Sequence, residues 1–177
     1  MRNKSLYKIV RCGIFAAIIC VSSFIVIPVG TVPVSATLLA VMLCALILSP
    51  FEALSAALVY VIMGAVGLPV FSGGSGGFGV LFGVTGGYIW SYPLLALIVS
   101  LLSKNEIKNT VFKFMISLLS CFLGIAVCYI FGTLQYILVT ETNFYTALTV
   151  CIVPFVPIDI VKALAAVGIG LPVKNRI

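Results

Sequence analysis

Apolar runs long enough to reach across a lipid bilayer constrain this chain more than any other feature of its sequence. Of its 177 residues, 63% are hydrophobic and only 8% are charged, and the mean hydropathy is +1.33. Soluble domains carry about 25% charged residues, so this chain lacks the polar side chains that cover a surface facing water. Because the runs are continuous rather than alternating, they indicate transmembrane α-helices and not the strands of a membrane barrel.

Six apolar segments can be drawn, and together they predict one membrane domain that covers residues 1–177. The segments span residues about 9–28, 34–48, 51–67, 83–103, 111–139 and 145–171. Several are shorter than the roughly 20 residues that a helix needs to cross the hydrocarbon core, which points to tilted helices or a locally thinned bilayer. We therefore expect an all-α integral membrane protein, built as a six-transmembrane-helix bundle.

The basic residues are distributed unevenly, and their distribution sets the predicted orientation. With a cytoplasmic N-terminus, nine of the ten Lys and Arg residues fall on the cytoplasmic side: Arg2, Lys4, Lys8, Arg11, Lys104, Lys108, Lys113, Lys174 and Arg176. The outer loops then hold no basic residue, only the acid Glu141. Cytoplasmic loops are enriched in Lys and Arg, so both the N- and the C-terminus are predicted to be cytoplasmic.

Several functions are excluded by residues that are missing or scattered. The formal net charge of +6 comes from single basic residues between apolar runs, which does not make a nucleic-acid-binding face. The chain has no His, so the commonest metal ligand and the commonest general base are both absent. The six Cys residues all lie in apolar runs and are expected to be packing residues rather than disulfides. We therefore predict no metal, no cofactor, no nucleic-acid partner and no catalytic residue.

A glycine-rich stretch, VFSGGSGGFGVLFGVTGGY at Val70–Tyr88, contains a GxGxxG pattern between Gly74 and Gly79. A dinucleotide-binding loop needs a preceding strand and an acid about 20 residues later, whereas here a membrane span precedes the loop and the next acid, Glu106, lies beyond the fourth span. Nucleotide binding therefore has no support. A flexible Gly/Ser linker remains an alternative.

The aromatic residues within this stretch favour a different hypothesis. A solvated linker does not need Phe71, Phe78, Phe82 or Tyr88, whereas glycines that permit close backbone approach and aromatics that cover apolar surface suit a lid over a pocket. The orientation above puts the loop on the outer side, between the third and fourth spans. Thr85 and Tyr88 lie beneath it at the start of the fourth span, where they could hydrogen-bond a ligand.

Asp159 and Lys162, inside the sixth span, are the strongest signal for a functional site. Charges within a membrane are costly, usually face the bundle interior and usually serve a function. Their i, i+3 spacing puts them on one helix face, and Pro154 and Pro157 just upstream predict a kink there. A ligand site is favoured, and a structural ion pair or a proton or ion relay are the alternatives.

Glu52 has a simpler interpretation. It follows Pro50 at the inner end of the third span, where the N-terminus of a helix favours an acid. We expect it to cap that helix.

Small residues recur at four-residue spacing on the first span. Cys12, Ala16 and Cys20 form one row, and Gly13 and Ala17 lie beside it. Rows of this kind let helices approach closely. The row is expected either to pack inside the bundle or to dock onto a separate membrane subunit.

The segments GLPVFSGGSGGFGVLFGVTGGY and PFVPIDIVKA, together with VPVSATLLA before the second span, resemble the biotin-binding S components of energy-coupling factor (ECF) transporters, the BioY family. The resemblance covers nearly the whole chain. It implies a pocket near the outer face that binds biotin with high affinity. The substrate-binding residues that it implies are Asp159, Lys162, Phe71, Gly73, Gly74, Gly77, Thr85, Gly86, Gly87 and Tyr88.

Two positions depart from the family pattern. Val84 stands where the family usually has a proline, and Leu39 stands where a glutamine is common, so a polar ligand contact from the latter position is in doubt. Biotin has a ureido group with two N–H donors and a carbonyl, an apolar bicycle and a carboxylate tail. Asp159 could accept from a ureido N–H, whereas Lys162 could donate to the ureido carbonyl or to the carboxylate.

The resemblance also implies partners. The chain has no ATPase motif, so it would be a non-enzymatic subunit in the plasma membrane of a prokaryote. A transmembrane coupling protein (T component) and two cytoplasmic ATPases would drive uptake, and the small-residue row on the first span is the candidate docking surface. The alternatives are an S component for another vitamin and a small proton-coupled carrier that uses Asp159 and Lys162.

Overall fold

The apolar segments of the sequence form helices in the computed structural model, which describes residues 4–27, 33–103, 109–174 and 176. The helices are α1 Lys4–Ser22, α2 Thr37–Ile47, α3 Pro50–Ala65, α4 Phe78–Leu81, α5 Gly86–Leu102, α6 Thr110–Thr140, α7 Phe144–Cys151 and α8 Val156–Lys174. A short antiparallel hairpin, β1 Val26–Ile27 and β2 Val34–Ser35, lies between α1 and α2. The fold is an all-α bundle of apolar helices.

Three of the described helices are long and apolar enough to cross a membrane, over Ser5–Ser22, Thr110–Thr140 and Val156–Lys174. The apolar helices α2, α3 and α5 are shorter, with 11, 16 and 17 residues. At about 1.5 Å per residue, α2 is only about 16 Å long, well under the roughly 30 Å hydrocarbon core. The composition and the fold together indicate a helical membrane protein, and the count of six crossings stays a prediction.

The segment predicted as one span at 145–171 is two helices in the structure. α7 ends at Cys151, a turn covers residues 152–155, and α8 begins at Val156. Pro154 and Pro157 account for the break, because each lacks the N–H that would continue the helical hydrogen bonds. The predicted kink is therefore a full interruption.

The first predicted span, 9–28, also differs at both ends. The helix begins at Lys4 and ends at Ser22, and the chain then turns into the hairpin. The predicted end at residue 28 lies outside the described residues. Of the basic residues used for the orientation, Arg2, Lys104 and Lys108 and the side chain of Lys4 lie outside them as well.

Helix α2 occupies the centre of the bundle and packs against α1, α3, α5 and α8. Its side chains from Val41 to Leu46 are fully buried apart from the half-buried Leu43. Lipid tails are as apolar as leucine, so such helices are held mainly by close packing, and small residues at the contacts shorten the distance between backbones. The buried small residues of the core include Ala45, Ala53, Ala57, Ala163 and Ala166.

Glu52 caps α3, as the sequence predicts. Its Oε2 accepts a hydrogen bond from the Ser49 backbone N–H at 3.1 Å, and Pro50 occupies the first turn. Arg11 on α1 lies 3.9 Å from the same carboxylate oxygen and donates to the Ile47 carbonyl at 3.4 Å. The cap therefore joins α1 to the turn between α2 and α3.

One end of the bundle is closed by polar contacts between helix ends. Beside the Arg11–Glu52 contact, Ser100 donates to the Leu48 carbonyl at 2.7 Å, and Lys174 Nζ donates to the Ser103 carbonyl at 3.0 Å. We call this the basic end, because Arg11 and Lys174 both lie there. The glycine-rich stretch and the hairpin lie at the opposite end, where the Gly73 N–H donates to the Ser23 carbonyl.

Candidate functional site

A cavity lies between the beginnings of α5 and α8, the middle of α6, the hairpin and the glycine-rich stretch. Sites for small molecules usually combine apolar walls with a few polar groups. We call it the Asp159 cavity. It is lined by Pro33, Ser35, Leu38, Ser72, Ser75, Val80, Thr85, Tyr88, Ile89, Tyr92, Cys128, Tyr129, Phe155, Asp159 and Lys162.

The break between α7 and α8 positions Asp159 in this cavity. Asp159 lies in the first turn of α8, where the N-terminus of a helix stabilises an acidic side chain. Its backbone N–H donates to the carbonyl of Phe155, a residue of the turn that also lines the cavity. In an unbroken helix Asp159 would lie mid-helix, away from the N-terminal end where the helix dipole stabilises a negative charge.

Asp159 is almost completely buried, with 3% of its surface exposed. Its Oδ1 accepts a hydrogen bond from Lys162 Nζ at 2.9 Å, and its Oδ2 accepts one from the Tyr129 hydroxyl on α6 at 2.8 Å. A buried carboxylate needs partners of this kind, since removal from water is otherwise costly. The sequence correctly paired Asp159 with Lys162 but did not identify Tyr129.

Lys162 keeps hydrogen-bonding capacity beyond this pair. An ammonium has three N–H donors, and the contacts of Lys162 with the described part of the chain use one of them, on Asp159. Among the described residues that line the Asp159 cavity, Lys162 is the single cation and Asp159 the single anion. The cavity therefore offers both a hydrogen-bond acceptor and donors at one end, with apolar walls around them.

Thr85 and Tyr88, both predicted from the sequence, line the same cavity as the ion pair. The Tyr88 hydroxyl donates to the Cys151 carbonyl at 2.8 Å, and its ring lies 6.4 Å from that of Phe155. Tyr88 thus braces the end of α7 and the turn before α8. Thr85 immediately precedes α5, and its hydroxyl has no hydrogen bond to another described residue, so it is available to a ligand.

The glycine-rich stretch is a folded wall held by buried anchors. Phe71 is fully buried, and its ring packs edge-on against Tyr60 with 5.5 Å between the centroids. Gly73 and Gly74 follow in a turn with φ of 72° and 76°, values that glycine adopts without strain, and Gly77 has a φ of 95°. Ser72, Ser75 and Val80 of this stretch line the cavity.

The other predicted residues of this region are placed differently. Phe71, Gly73, Gly74 and Gly77 do not belong to the described lining of the Asp159 cavity, and their role as substrate contacts stays a prediction. The GxGxxG pattern lies across a turn and the four-residue α4, and the element before it is the helix α3.

Gly86 and Gly87 lie at the start of α5, where the backbone packs against neighbouring segments. A Cβ atom at Gly86 would overlap the Leu81 carbonyl and Gln135, and one at Gly87 would overlap the Phe131 carbonyl of α6. Both glycines are outside the described cavity lining, so the structure gives them a packing role. Their predicted contact with substrate is untested.

Several residues that line the cavity were not predicted from the sequence, among them Tyr92, Tyr129, Ser35 and Leu38. The two tyrosines carried a usable signal, because a hydroxyl within a long apolar helix needs a partner. Ser35 belongs to the hairpin and Leu38 to the first turn of α2, and no local pattern indicates that these elements meet the cavity. Leu39, at the position where the family often has a glutamine, packs against the core instead.

The small residues of α1 fall on two different faces. Ala16 and Cys20 are buried, and the half-buried Cys12 contacts the Glu52 carbonyl oxygen of α3 through its Sγ at 3.5 Å. Gly13 and Ala17 are exposed, and a Cβ atom at Gly13 would meet nothing within 4 Å. The row of three therefore packs inside the bundle, and the exposed pair is what remains for a partner.

Comparisons with known proteins show the family of this chain and agree with its fold. The model of the BioY family matches residues 1–177. The chain is 36% identical over 172 residues to the biotin transporter BioY2 of Lactococcus lactis, covering 97% of this chain and 92% of that one. It is also 36% identical to the biotin transporter BioY of Thermotoga maritima over 173 residues, covering 95% and 96% of the two chains.

A solved structure has the same fold. The S-component for biotin from an ECF-type ABC transporter superposes with a TM-score of 0.87 over 99% of this chain and 94% of that one, at 22% identity. At that identity the likeness supports the architecture alone. The family match and the sequence relatives go further, and on their strength this chain belongs to the BioY family.

Proposed function

We propose that this chain is the substrate-capture (S) subunit of an ECF-type importer and binds biotin from the outside. The observation that carries the proposal is the buried Asp159–Lys162 pair at one end of a cavity with largely apolar walls. The relatives that bear the name biotin transporter, at 36% identity over almost the full chain, support the same ligand.

The chemistry of the cavity fits biotin. The Asp159 carboxylate can accept from a ureido N–H, and the remaining N–H groups of Lys162 can donate to the ureido carbonyl or to the carboxylate of the tail. Tyr88, Tyr92 and Phe155 supply apolar surface for the bicycle and the aliphatic chain. We include Thr85 among the ligand contacts, since it lines the cavity and carries a hydroxyl.

The test of this proposal is equilibrium binding to the purified chain without partners, in detergent or lipid nanodiscs. Biotin is expected to bind tightly, and riboflavin and thiamine are expected not to bind. Tight binding of another vitamin without biotin binding would replace the substrate but keep the subunit type. Proton flux into liposomes in the absence of biotin would instead support the carrier alternative.

We infer a six-span topology with both termini in the cytoplasm of a prokaryotic cell and the Asp159 cavity near the outer face. The support is the basic end of the bundle, where Arg11 and Lys174 lie, since positive residues are enriched on the cytoplasmic side. An impermeant thiol reagent added from outside is expected to label Ser75→Cys and not Ser5→Cys. Labelling of only the latter from outside would reverse the orientation.

Uptake driven by ATP requires further subunits, and we propose a T component and two cytoplasmic ATPases, with this chain itself not an enzyme. The exposed Gly13 and Ala17 on α1 permit close approach of a helix from the T component. Gly13→Leu is expected to abolish co-purification with the T component while biotin binding persists. Retained co-purification would move the docking surface away from this face.

A further inference from the structure

Tyr129 lies between the Asp159 cavity and a second, apolar depression on the outside of the bundle. This lateral groove runs between α6 and α8 and opens on their exposed apolar surface. It is lined by Phe122, Ile125, Ala126, Tyr129, Val156, Asp159 and Ile160. Tyr129 and Asp159 are the two residues that belong to the described linings of both cavities.

The lateral groove offers few hydrogen-bond donors to the Asp159 carboxylate. Apart from Tyr129 and Asp159, the described residues that line it are apolar and have no side-chain donor. On that side of Asp159, the Tyr129 hydroxyl supplies the hydrogen bond to Oδ2, at 2.8 Å. On the other side Lys162 supplies the bond to Oδ1, at 2.9 Å.

Two donors from two different helices fix the plane of the carboxylate. The torsion that rotates a carboxylate about its last bond is broad, so an aspartate held at one oxygen can still swing. Lys162 is on the same helix as Asp159 and has a long, flexible side chain, so it restrains this rotation weakly. The Tyr129 ring is rigid and anchored on α6, and its hydroxyl gives the second fixed point.

We propose that Tyr129 is a positioning residue that sets the orientation of the Asp159 carboxylate and thereby the selectivity for ligands with a ureido N–H. The proposal rests on the proposed function, because the ligand group is that of biotin. Each carboxylate oxygen has a second lone pair, which the two protein donors leave for the ligand. A fixed carboxylate presents these lone pairs at one angle, so a ligand with a ureido N–H binds more tightly than a ligand whose ureido nitrogens carry no hydrogen.

The first experiment measures this selectivity in Tyr129→Phe, which keeps the ring and removes only the donor. The dissociation constants of biotin and of an analogue methylated at the ureido nitrogens are compared by equilibrium dialysis. Biotin affinity is expected to fall about 10-fold to 100-fold, the usual effect of losing a hydrogen bond to a charged group. Affinity for the blocked analogue is expected to change little, so the ratio between the two ligands falls.

Tyr145→Phe is the matched control, because Tyr145 is exposed and lies outside the described cavity linings. It is expected to keep both affinities. An equal loss for both ligands in Tyr129→Phe would mean a structural role only, and unchanged biotin affinity would exclude positioning. Either outcome overturns the proposal.

The second experiment needs no biotin and therefore separates the two proposals. Asp159 is the only aspartate in the sequence, so cell-free synthesis with carboxyl-labelled ¹³C-aspartate gives a probe of this single side chain. The infrared carboxylate band of the purified full chain is expected to shift in Tyr129→Phe and not in Tyr145→Phe. An unchanged carboxylate band in Tyr129→Phe would exclude the positioning role of Tyr129 even if the protein binds biotin. A shifted band in a protein that does not bind biotin would reject biotin as the ligand and leave the role of Tyr129 intact.

Discussion

Two ion pairs at opposite ends of the bundle join the same kinds of charged group but differ in what surrounds them. Arg11 and Glu52 lie 3.9 Å apart at the basic end, and Glu52 also caps α3. Lys162 and Asp159 lie 2.9 Å apart beside the Asp159 cavity. The first pair connects helix ends, whereas the second borders an open cavity.

The difference lies in the hydrogen bonds that remain available. Glu52 accepts from the Ser49 backbone and Arg11 donates to the Ile47 carbonyl, so both side chains serve the backbone around them. Asp159 accepts from both Lys162 and Tyr129, which leaves two N–H donors on Lys162 and a second lone pair on each carboxylate oxygen for a ligand in the cavity. An ion pair whose side chains hydrogen-bond to the backbone indicates a structural role. An ion pair that borders an open cavity indicates a ligand-binding role.

The largest effect is expected for Asp159→Asn. Removing one charge of a buried pair usually costs 2–5 kcal/mol of binding energy, so biotin affinity should fall by about 30-fold or more. Equilibrium dialysis with labelled biotin measures it, with Glu52→Gln as the matched variant at the other pair. If the two variants lost the same affinity, the functional distinction between the pairs would fail.

Lys162→Met should have the next largest effect. It removes the one cation among the described cavity-lining residues but keeps a flexible apolar side chain, and Asp159 retains its bond from Tyr129. We expect biotin affinity to drop about 10-fold to 100-fold, the range for a lost charge-assisted hydrogen bond. Arg11→Met, measured in the same assay, should bind biotin as the unaltered protein does; weaker binding there would contradict the comparison.

Glu52→Ala should lower the stability of the protein and leave its affinity for biotin unchanged. It removes the acceptor for the Ser49 N–H and the partner of Arg11, and loss of a helix cap costs about 1 kcal/mol. The expected result is a lower thermal unfolding temperature in detergent at unchanged biotin affinity. Glu52→Gln keeps a side-chain oxygen for the cap and should unfold closer to the unaltered protein; a larger loss in Glu52→Gln would show that the charge, not the cap, matters.

The smallest effect is expected for Arg11→Met. Its side chain is partly exposed, lies 3.9 Å from Glu52 and stands over the Tyr7 ring at 5.6 Å. Ion pairs of this kind contribute about 0–1 kcal/mol, so the unfolding temperature should move by no more than a few degrees. A destabilisation as large as that of Glu52→Ala would mean that the pair, rather than the cap, holds this end together.

The sequence alone determined the class of fold and the charged centre of the site. Continuous apolar runs require helices in lipid, since every backbone N–H and C=O must be paired within its own segment. The spacing of Asp159 and Lys162 places them on one helix face, and Pro50 with Glu52 is a local signal for a helix start. Each of these patterns depends on residues within a few positions of one another.

Other features depend on contacts between distant segments, and only the tertiary structure decided them. Tyr129 reaches Asp159 across 30 positions of sequence, and the hairpin brings Ser35 to the same cavity. Which small residues of α1 face inward was set by α3, which covers Cys12 and leaves Gly13 exposed. The apolar pattern of a membrane helix is nearly uniform around its axis, so it does not reveal which side meets protein and which meets lipid.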